Sequence, residues 1–221
     1  MHAHAVTNPG AALLACMQRI AATGLSQGSS GNASVRSANG FWITPTGMPP
    51  QRMRADDAVE IDPGGRVLAG TLRPSSEWPM HAAIYSARPD AQAIVHCHSR
   101  HATALACCGR DIPAFHYMVA VAGGDSIRCS PYALFGSQAL AGQAVAALRE
   151  RRACLLGNHG QIAIGDSLES ALALAIEVEE LAAQYGAALA IGEPRLLDGA
   201  QMREVIGRFA GYGQPQRRDE P

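Results

Sequence analysis

Residues 93–101 read AIVHCHSRH, an apolar run that leads into three of the chain's eight histidines. Side chains alternate between the two faces of a β-strand, so His96 and His98 should share one face while Cys97 points to the other. Two imidazoles on one face can chelate a single metal ion. We expect His101, at the start of a helical pattern, to point elsewhere. A polar strand face without a metal is the ordinary alternative.

The same succession of apolar strands and helical patterns extends along the chain in both directions. Helical patterns cover residues 10–23, 74–89, 99–108, 137–152 and 167–192. Short β patterns lie between them, several of them arranged as hairpins around Gly, Pro and Asp turns. This order predicts an α/β (α+β layered) fold, in which helices flank a central, largely antiparallel or mixed β-sheet.

The length of 221 residues suits one domain that covers residues 1–221. We expect the polar segment QPQRRDEP, residues 214–221, to form a disordered tail. No apolar run approaches the roughly 20 residues that span a bilayer, and no secretory signal is visible. The six cysteines show no CxxC spacing, which is typical of reduced thiols. We therefore expect a soluble, cytoplasmic protein.

Lysine is absent from the sequence, and all 18 basic side chains are arginine. Schiff-base catalysis, pyridoxal phosphate anchoring and the P-loop all need a lysine, so these mechanisms are excluded. The net charge is −1, and no long run of either sign indicates a nucleic-acid or membrane partner. No GxGxxG motif follows a strand, which disfavours a dinucleotide. A small-molecule partner is expected.

A second histidine site follows another apolar strand, in LLGNHGQIAIG (residues 155–165). His159 lies in a tight turn, where Gly160 lets the backbone come close. Together with His96 and His98 it makes a set of three protein ligands plausible. Three ligands with one open position are typical of catalytic zinc, whereas structural zinc usually has four.

Three further motifs are rich in hydroxyl groups and glycine: GSSGN (28–32), TPTG (44–47) and PSSE (74–77). Backbone N–H groups, Ser and Thr hydroxyls and a helix N-terminus can together bind a phosphate without lysine. Each motif alone is an ordinary turn or cap. We expect Ser75 or Ser76 to be the N-cap of the helix and Glu77 to lie in its first turn.

Taken in order, these motifs are specific enough to indicate a family. The chain contains QGSSGNASVR, FWITPTGMP, PSSEWPMH, IVHCHSRH, HYMVAVAGGDSI, SPYALFG and then NHG before the long helix. This series resembles the class II aldolase/adducin family from about Ala12 to Gly213. Within the family, the chain is most similar to the members that cleave L-fuculose 1-phosphate.

The resemblance implies a zinc-dependent retro-aldol cleavage that gives dihydroxyacetone phosphate and an aldehyde, with one Zn²⁺ per subunit. The positions that match the zinc ligands are His96, His98 and His159, and Glu77 matches the residue that contacts the metal and acts as acid/base. The positions that match the phosphate site are Gly31, Asn32, Thr46, Gly47, Ser75 and Ser76. Tyr117 matches a tyrosine donated across a subunit interface, and Tyr212 matches a tyrosine near the aldehyde. The resemblance also implies a homotetramer with shared active sites.

Related reactions on the same scaffold stay open. Pentulose-phosphate 4-epimerases carry an SSD motif where this chain has SSE, so Glu77 favours an aldolase. Decarboxylases of 3-oxo-sugar-acid phosphates share the glutamate, and a dehydratase is also known on this fold. A non-catalytic, adducin-like interaction module is the alternative of another class, which the intact histidines disfavour. The candidate substrates are L-fuculose 1-phosphate and 5-deoxy- or 5-methylthioribulose 1-phosphate.

Overall fold

The structure, a computed structural model, describes residues 8–209 of the chain. The helices in this part are α1 (Pro9–Ala22), α2 (Trp78–Ala87), α3 (Arg100–Cys107), α4 (Gln138–Ala147), α5 (Leu168–Ile191) and α6 (Gly199–Phe209). The strands are β1 (Asn32–Arg36), β2 (Phe41–Ile43), β3 (Val59–Ile61), β4 (Val67–Ala69), β5 (Ala93–Cys97), β6 (Arg128–Ser130), β7 (Ala153–Leu156) and β8 (Gly160–Gly165). Two short 3₁₀ helices cover Ala55–Asp57 and Tyr117–Ala122.

Within residues 8–209 the strands form one sheet in the order β4-β3-β2-β1-β5-β8-β7-β6. Each neighbouring pair is antiparallel except β6 and β7, which are parallel. The expected α/β layered fold with a largely antiparallel, mixed sheet is therefore confirmed. No helix in the described part of the chain is long and apolar enough to cross a membrane.

Helices cover both faces of the sheet because the central strands are apolar on both sides. In β5, Val95 and Cys97 pack into a core formed with α1, α3 and α5. Ile94 faces the opposite side, where α2 and α4 pack. His96 follows the alternation and shares the face of Ile94. The end of β5 thus delivers His96 to the side of the sheet that α2 covers.

The structure corrects several expected boundaries. The helix expected over 137–152 ends at Ala147, because the chain turns back toward β7 and Glu150 adopts a left-handed conformation with φ 57°. Strand β6, helix α6 and the 3₁₀ helix at Tyr117–Ala122 had no counterpart in the sequence patterns. The expected tail at 214–221 lies outside the described residues.

Candidate active site

Four side chains converge where β5 ends. Nε2 of His96 lies 3.0 Å from Nε2 of His98 and 3.1 Å from Oε2 of Glu77. Nε2 of His159 lies 3.3 Å from Oε1 of Glu77. The centres of the three imidazole rings are 4.8 Å apart in every pair, and the ring planes are inclined by 70° to 74°. Each residue therefore directs one nitrogen or oxygen atom toward a common centre.

Strand pairing explains how residues distant in sequence meet here. β5 pairs with β8, with Cys97 opposite Gln161, so the β7–β8 turn that carries His159 lies beside His98. Gly160 makes this approach possible: a Cβ atom there would lie 2.5 Å from the carbonyl oxygen of Cys97 and 2.9 Å from Cδ2 of His98. Only glycine fits without moving a neighbour.

A hydrogen bond to the backbone, on the side of the ring away from the cluster, fixes the orientation of His96. Its Nδ1 lies 2.9 Å from the backbone carbonyl oxygen of Gln161. A carbonyl oxygen only accepts, so Nδ1 carries a hydrogen and Nε2 faces the cluster. Metal-binding histidines commonly have this arrangement, since a hydrogen bond at one ring nitrogen orients the other.

The electrostatics of the cluster keep the ligand atoms of Glu77, His98 and His159 available. Burial and the neighbouring charge of His96 lower the pKa of His98 and the pKa of His159, each to about 4. Burial opposes ionisation of Glu77. The charge and hydrogen bond of His96, the charge of His159 and the hydrogen bond from Asn32 together outweigh it and hold the pKa of Glu77 well below its ordinary value. Near neutral pH, Glu77 is ionised, and His98 and His159 each carry a free lone pair.

The donor set fits a divalent metal ion. One ligand atom from each of Glu77, His96, His98 and His159 lies within 4.8 Å of the others. Oε1 of Glu77 is buried and has no hydrogen-bond partner among the described residues, whereas Oε2 accepts one from Asn32. A buried carboxylate oxygen without a partner is costly unless a cation faces it. Imidazole and carboxylate are ligands that zinc and related ions accept.

Glu77 lies at the N-cap position of α2 and not in its first turn, so the expectation of Ser75 or Ser76 as N-cap was wrong. The helix begins at Trp78, and Pro79 needs no hydrogen-bond partner in the first turn. The Glu77 side chain makes no capping bond. Its carboxylate turns toward Asn32 and the histidines instead. Ser75 lies just outside the helix, where its hydroxyl accepts the backbone N–H of Glu77 at 3.3 Å.

The cluster opens into a pocket of about 330 Å³. Its walls contain all the positions expected to bind phosphate, namely Gly31, Asn32, Thr46, Gly47, Ser75 and Ser76, together with Glu77, His98 and His159. Tyr132, Ala133, Phe135 and Asn158 also line the pocket; they belong to the SPYALFG and NHG motifs, but none of them had been assigned to the site. The positions expected to bind phosphate thus share one cavity with three of the four candidate metal ligands.

The expected tyrosines lie apart from this pocket. Tyr117 is 50% exposed at the start of a 3₁₀ helix and lines a separate surface pocket with Met118 and Arg208. Tyr212 lies outside the described residues. His101, expected to point elsewhere, lies on α3 and pairs with Glu179 at 2.8 Å.

Four residues behind Glu77 had not been identified as part of the site: Ser34, Arg36, His81 and Tyr85. His81 and Tyr85 follow Glu77 at intervals of four residues, and Ser34 and Arg36 follow Asn32 at intervals of two. These spacings place each set on one face of its helix or strand. The spacing within each set was visible in the sequence, but the sequence did not show that the helix face and the strand face pack against each other.

The fold and the site geometry define a metal-type aldolase scaffold. The sequence profile of the Class II Aldolase and Adducin N-terminal domain matches residues 11–185. The chain therefore belongs to the class II aldolase and adducin family, as the resemblance predicted, and it is an aldolase, a carbon–carbon lyase.

Similar proteins and a similar solved structure are also aldolases. The 5-methylthioribulose-1-phosphate/5-deoxyribulose-1-phosphate aldolase of Rhodospirillum rubrum is 46% identical over 209 residues, covering 95% of this chain and 94% of that protein. The L-fuculose phosphate aldolase of Escherichia coli K12 is 48% identical over 191 residues, covering 86% of this chain and 88% of that protein. A solved L-fuculose 1-phosphate aldolase superposes with a TM-score of 0.90 at 38% identity, covering 93% of this chain and 98% of the other.

Proposed function

We propose that the chain is a zinc-dependent aldolase that cleaves a 1-phosphorylated ketose into dihydroxyacetone phosphate and an aldehyde. The candidate substrates are L-fuculose 1-phosphate, 5-deoxyribulose 1-phosphate and 5-methylthioribulose 1-phosphate. The observation that carries this proposal is the single pocket that joins a His₃Glu cluster to three hydroxyl- and glycine-rich loops.

His96, His98, His159 and Glu77 would hold the ion. When bound, zinc supplies the Lewis acidity that stabilises negative charge on substrate oxygens during carbon–carbon cleavage. The absence of lysine supports a metal-dependent reaction, because the chain has no side-chain amine that could form the Schiff base used by lysine-dependent aldolases.

The loops around the pocket are suited to the phosphate group. Gly31 and Gly47 have φ of 83° and 64°, conformations that turn their backbone away from the regular strand direction. Thr46, Ser75 and Ser76 add hydroxyl donors, and Ser75 and Ser76 precede the N-terminus of α2, whose dipole favours an anion. Asn32 lines the same wall.

Glu77 is the proposed acid/base. Its Oε2 is held by the Asn32 amide at 2.9 Å. Its Oε1, which has no hydrogen-bond partner among residues 8–209, would ligate the ion in the substrate-free site and could exchange a proton once substrate takes its place on the ion. A carboxylate oxygen at this position can take the proton of the substrate hydroxyl during cleavage and return it in the reverse reaction.

Tyr117 is proposed to transfer a proton near the metal, from a neighbouring subunit of a homotetramer, and Tyr212 is proposed to lie near the aldehyde half of the substrate. The half-exposed position of Tyr117, apart from its own chain's pocket, supports a role in trans. Mixing Glu77→Gln with Tyr117→Phe subunits tests it. Random assembly should restore about a quarter of the active sites if they are shared between subunits, and none if both residues act within one chain. Light scattering after size exclusion gives the subunit number.

The substrate is tested with a panel of 1-phosphorylated ketoses, pentulose 5-phosphates and 3-oxo-acid phosphates. Dihydroxyacetone phosphate, carbon dioxide and epimerised sugar are measured separately. We expect dihydroxyacetone phosphate from at least one ketose 1-phosphate. Release of carbon dioxide alone, or epimerisation alone, would contradict the aldolase proposal.

Metal analysis tests the ligands. The purified protein should contain about one zinc ion per chain, which a chelator removes together with activity. A His96→Ala, His98→Ala double variant should lose the ion. His101→Ala, which changes a histidine of the next helix, is the matched control and should keep it. Stoichiometric metal in the double variant would refute the ligand assignment.

A further inference from the structure

A stripe of polar residues is buried between α2 and β1. Glu77, His81 and Tyr85 recur every four residues and so lie on one face of the helical segment, while Asn32 and Ser34 share one face of β1. All five residues are at most 7% exposed, and His81 and Ser34 are fully buried. The two rows interlock, since each strand residue bonds to two residues of the helical row.

The chemistry of the groups fixes the direction of every hydrogen bond in this row. The amide nitrogen of Asn32 can only donate, and it lies 2.9 Å from Oε2 of Glu77, which accepts. The amide oxygen of Asn32 then accepts, so Nε2 of His81, 2.6 Å away, must carry a hydrogen. Burial and the charge of His96 lower the pKa of His81 to about 3. His81 is therefore neutral, and its Nδ1 is an acceptor.

Ser34, which bonds to the other side of His81, and Tyr85, which bonds to Ser34, stabilise this tautomer. The Ser34 hydroxyl, 2.7 Å from Nδ1 of His81, must donate to it, and it can then accept from the Tyr85 hydroxyl at 2.8 Å. The guanidinium of Arg36 lies 4.6 Å above the Tyr85 ring and holds that residue in place. Donation therefore runs in one direction, from Tyr85 through Ser34, His81 and Asn32 to Glu77.

This arrangement determines which oxygen of Glu77 is engaged. With its oxygen held by His81, the Asn32 amide cannot flip, and its N–H₂ group stays on Oε2. Oε1 is left directed at the histidine cluster, 3.3 Å from Nε2 of His159. His81 itself is absent from the pocket wall formed by the described residues, so it does not reach the substrate site directly.

We propose that His81 is a positioning residue for the aldol reaction: through its Nε2–H bond to Asn32 it fixes the Glu77 carboxylate, with Ser34 selecting the required tautomer. The inference rests on the proposed acid/base role of Glu77. The new element is that a residue outside the pocket determines the orientation of the Glu77 carboxylate.

Two amide substitutions of His81 make a matched pair. In His81→Gln the side-chain nitrogen is as many bonds from Cβ as Nε2 is in histidine, so it can still donate to Asn32. In His81→Asn the nitrogen is only as far as Nδ1 and cannot reach. Both remove the ring and bury an amide. We expect His81→Asn to lower kcat roughly 10–100-fold with a smaller effect on KM, the usual cost of losing an outer-shell partner. His81→Gln should restore most of the lost rate.

Equal losses in the two variants would show that His81 acts only in packing, and normal rates in both would show that Glu77 needs no support from it. Either result overturns the proposal. Thermal unfolding and metal content of each variant establish that folded, metal-loaded protein is compared.

The absorption spectrum of the Co²⁺-substituted protein provides a readout independent of turnover, because its bands respond to ligand geometry. His81→Gln should reproduce the wild-type spectrum, and His81→Asn should shift it. Wild-type protein that cleaves no ketose phosphate would refute the proposed function, while the spectra would still decide the positioning role. If His81→Asn does not fold, Ser34→Ala replaces it. Unchanged kcat and an unchanged spectrum in Ser34→Ala would equally refute the proposal.

Discussion

The burial of a neutral His81 predicts a defined loss of stability in acid. In the folded protein the pKa of His81 is lowered to about 3, first by burial and then by the charge of His96, from an ordinary value of 6.5. Below pH 6.5 the unfolded chain binds a proton at this residue and the folded chain does not. Stability contributed by the neutral form is therefore fully present above pH 6.5 and is progressively lost between pH 6.5 and about 3.

The magnitude follows from that shift. Each pH unit within the window costs about 1.4 kcal/mol, so His81 should reduce the free energy of unfolding by about 1.4 kcal/mol at pH 5.5 and about 2.7 kcal/mol at pH 4.5, relative to pH 8. Other histidines titrate in the same range. A comparison with His81→Gln isolates this residue, because glutamine does not ionise.

The assay is urea unfolding of wild type and His81→Gln, with chelator present and at one protein concentration, from pH 8 to pH 4.5. The substitution adds a cost that does not vary with pH, so only the change in the difference matters. The wild type should lose about 1.4 kcal/mol more than the variant by pH 5.5. Parallel curves for the two proteins would refute a buried, neutral His81 and the hydrogen-bond directions derived from it.

Three further predictions concern the pocket. Glu77→Gln should stay folded and cleave substrate about 10²–10⁴-fold more slowly, measured as dihydroxyacetone phosphate release, and near-normal turnover would remove Glu77 from acid/base chemistry. Thr46→Ala should raise KM about tenfold with little change in kcat, and an unchanged KM would exclude its hydroxyl from phosphate binding. Gly160→Ala should lower both Tm and metal affinity, because its Cβ would lie 2.9 Å from Cδ2 of His98. Its control is Gly142→Ala in α4, whose Cβ would meet nothing within 4 Å and which should be neutral or stabilising by about 0.5–1 kcal/mol; equal losses in the two would contradict the steric reasoning.

Local patterns predicted the parts of the fold that depend on local rules. Strand alternation put His96 and His98 on one side, and the structure has their Nε2 atoms 3.0 Å apart. Gly160 was expected to permit a close backbone approach, and its Cβ position is indeed filled by Cys97 and His98. The candidate metal ligands and the loops proposed to bind phosphate are accessible to such reasoning because each motif lies at a strand end or a turn.

Features that depend on pairing between distant segments were missed. Strand β6 has three residues and is recognisable only through its parallel partner β7. The hydrogen bonds of His81 could not be predicted, because they depend on the packing of α2 against β1, which neither segment shows by itself. The N-cap assignment failed because α2 begins only at Trp78, which puts Glu77 at the N-cap position, and the Glu77 carboxylate bonds to Asn32 and does not cap the helix.

The two ends of the sheet bear on how copies of the chain can assemble. β4 and β6, the outermost strands of the described residues, have three residues each, and the β3–β4 pairing contains a register shift. Short, irregular edges offer few free N–H and C=O groups in line, so they resist the addition of a strand from another molecule. Any association between copies of the chain should therefore use side-chain surfaces and should not continue the sheet from one copy into the next.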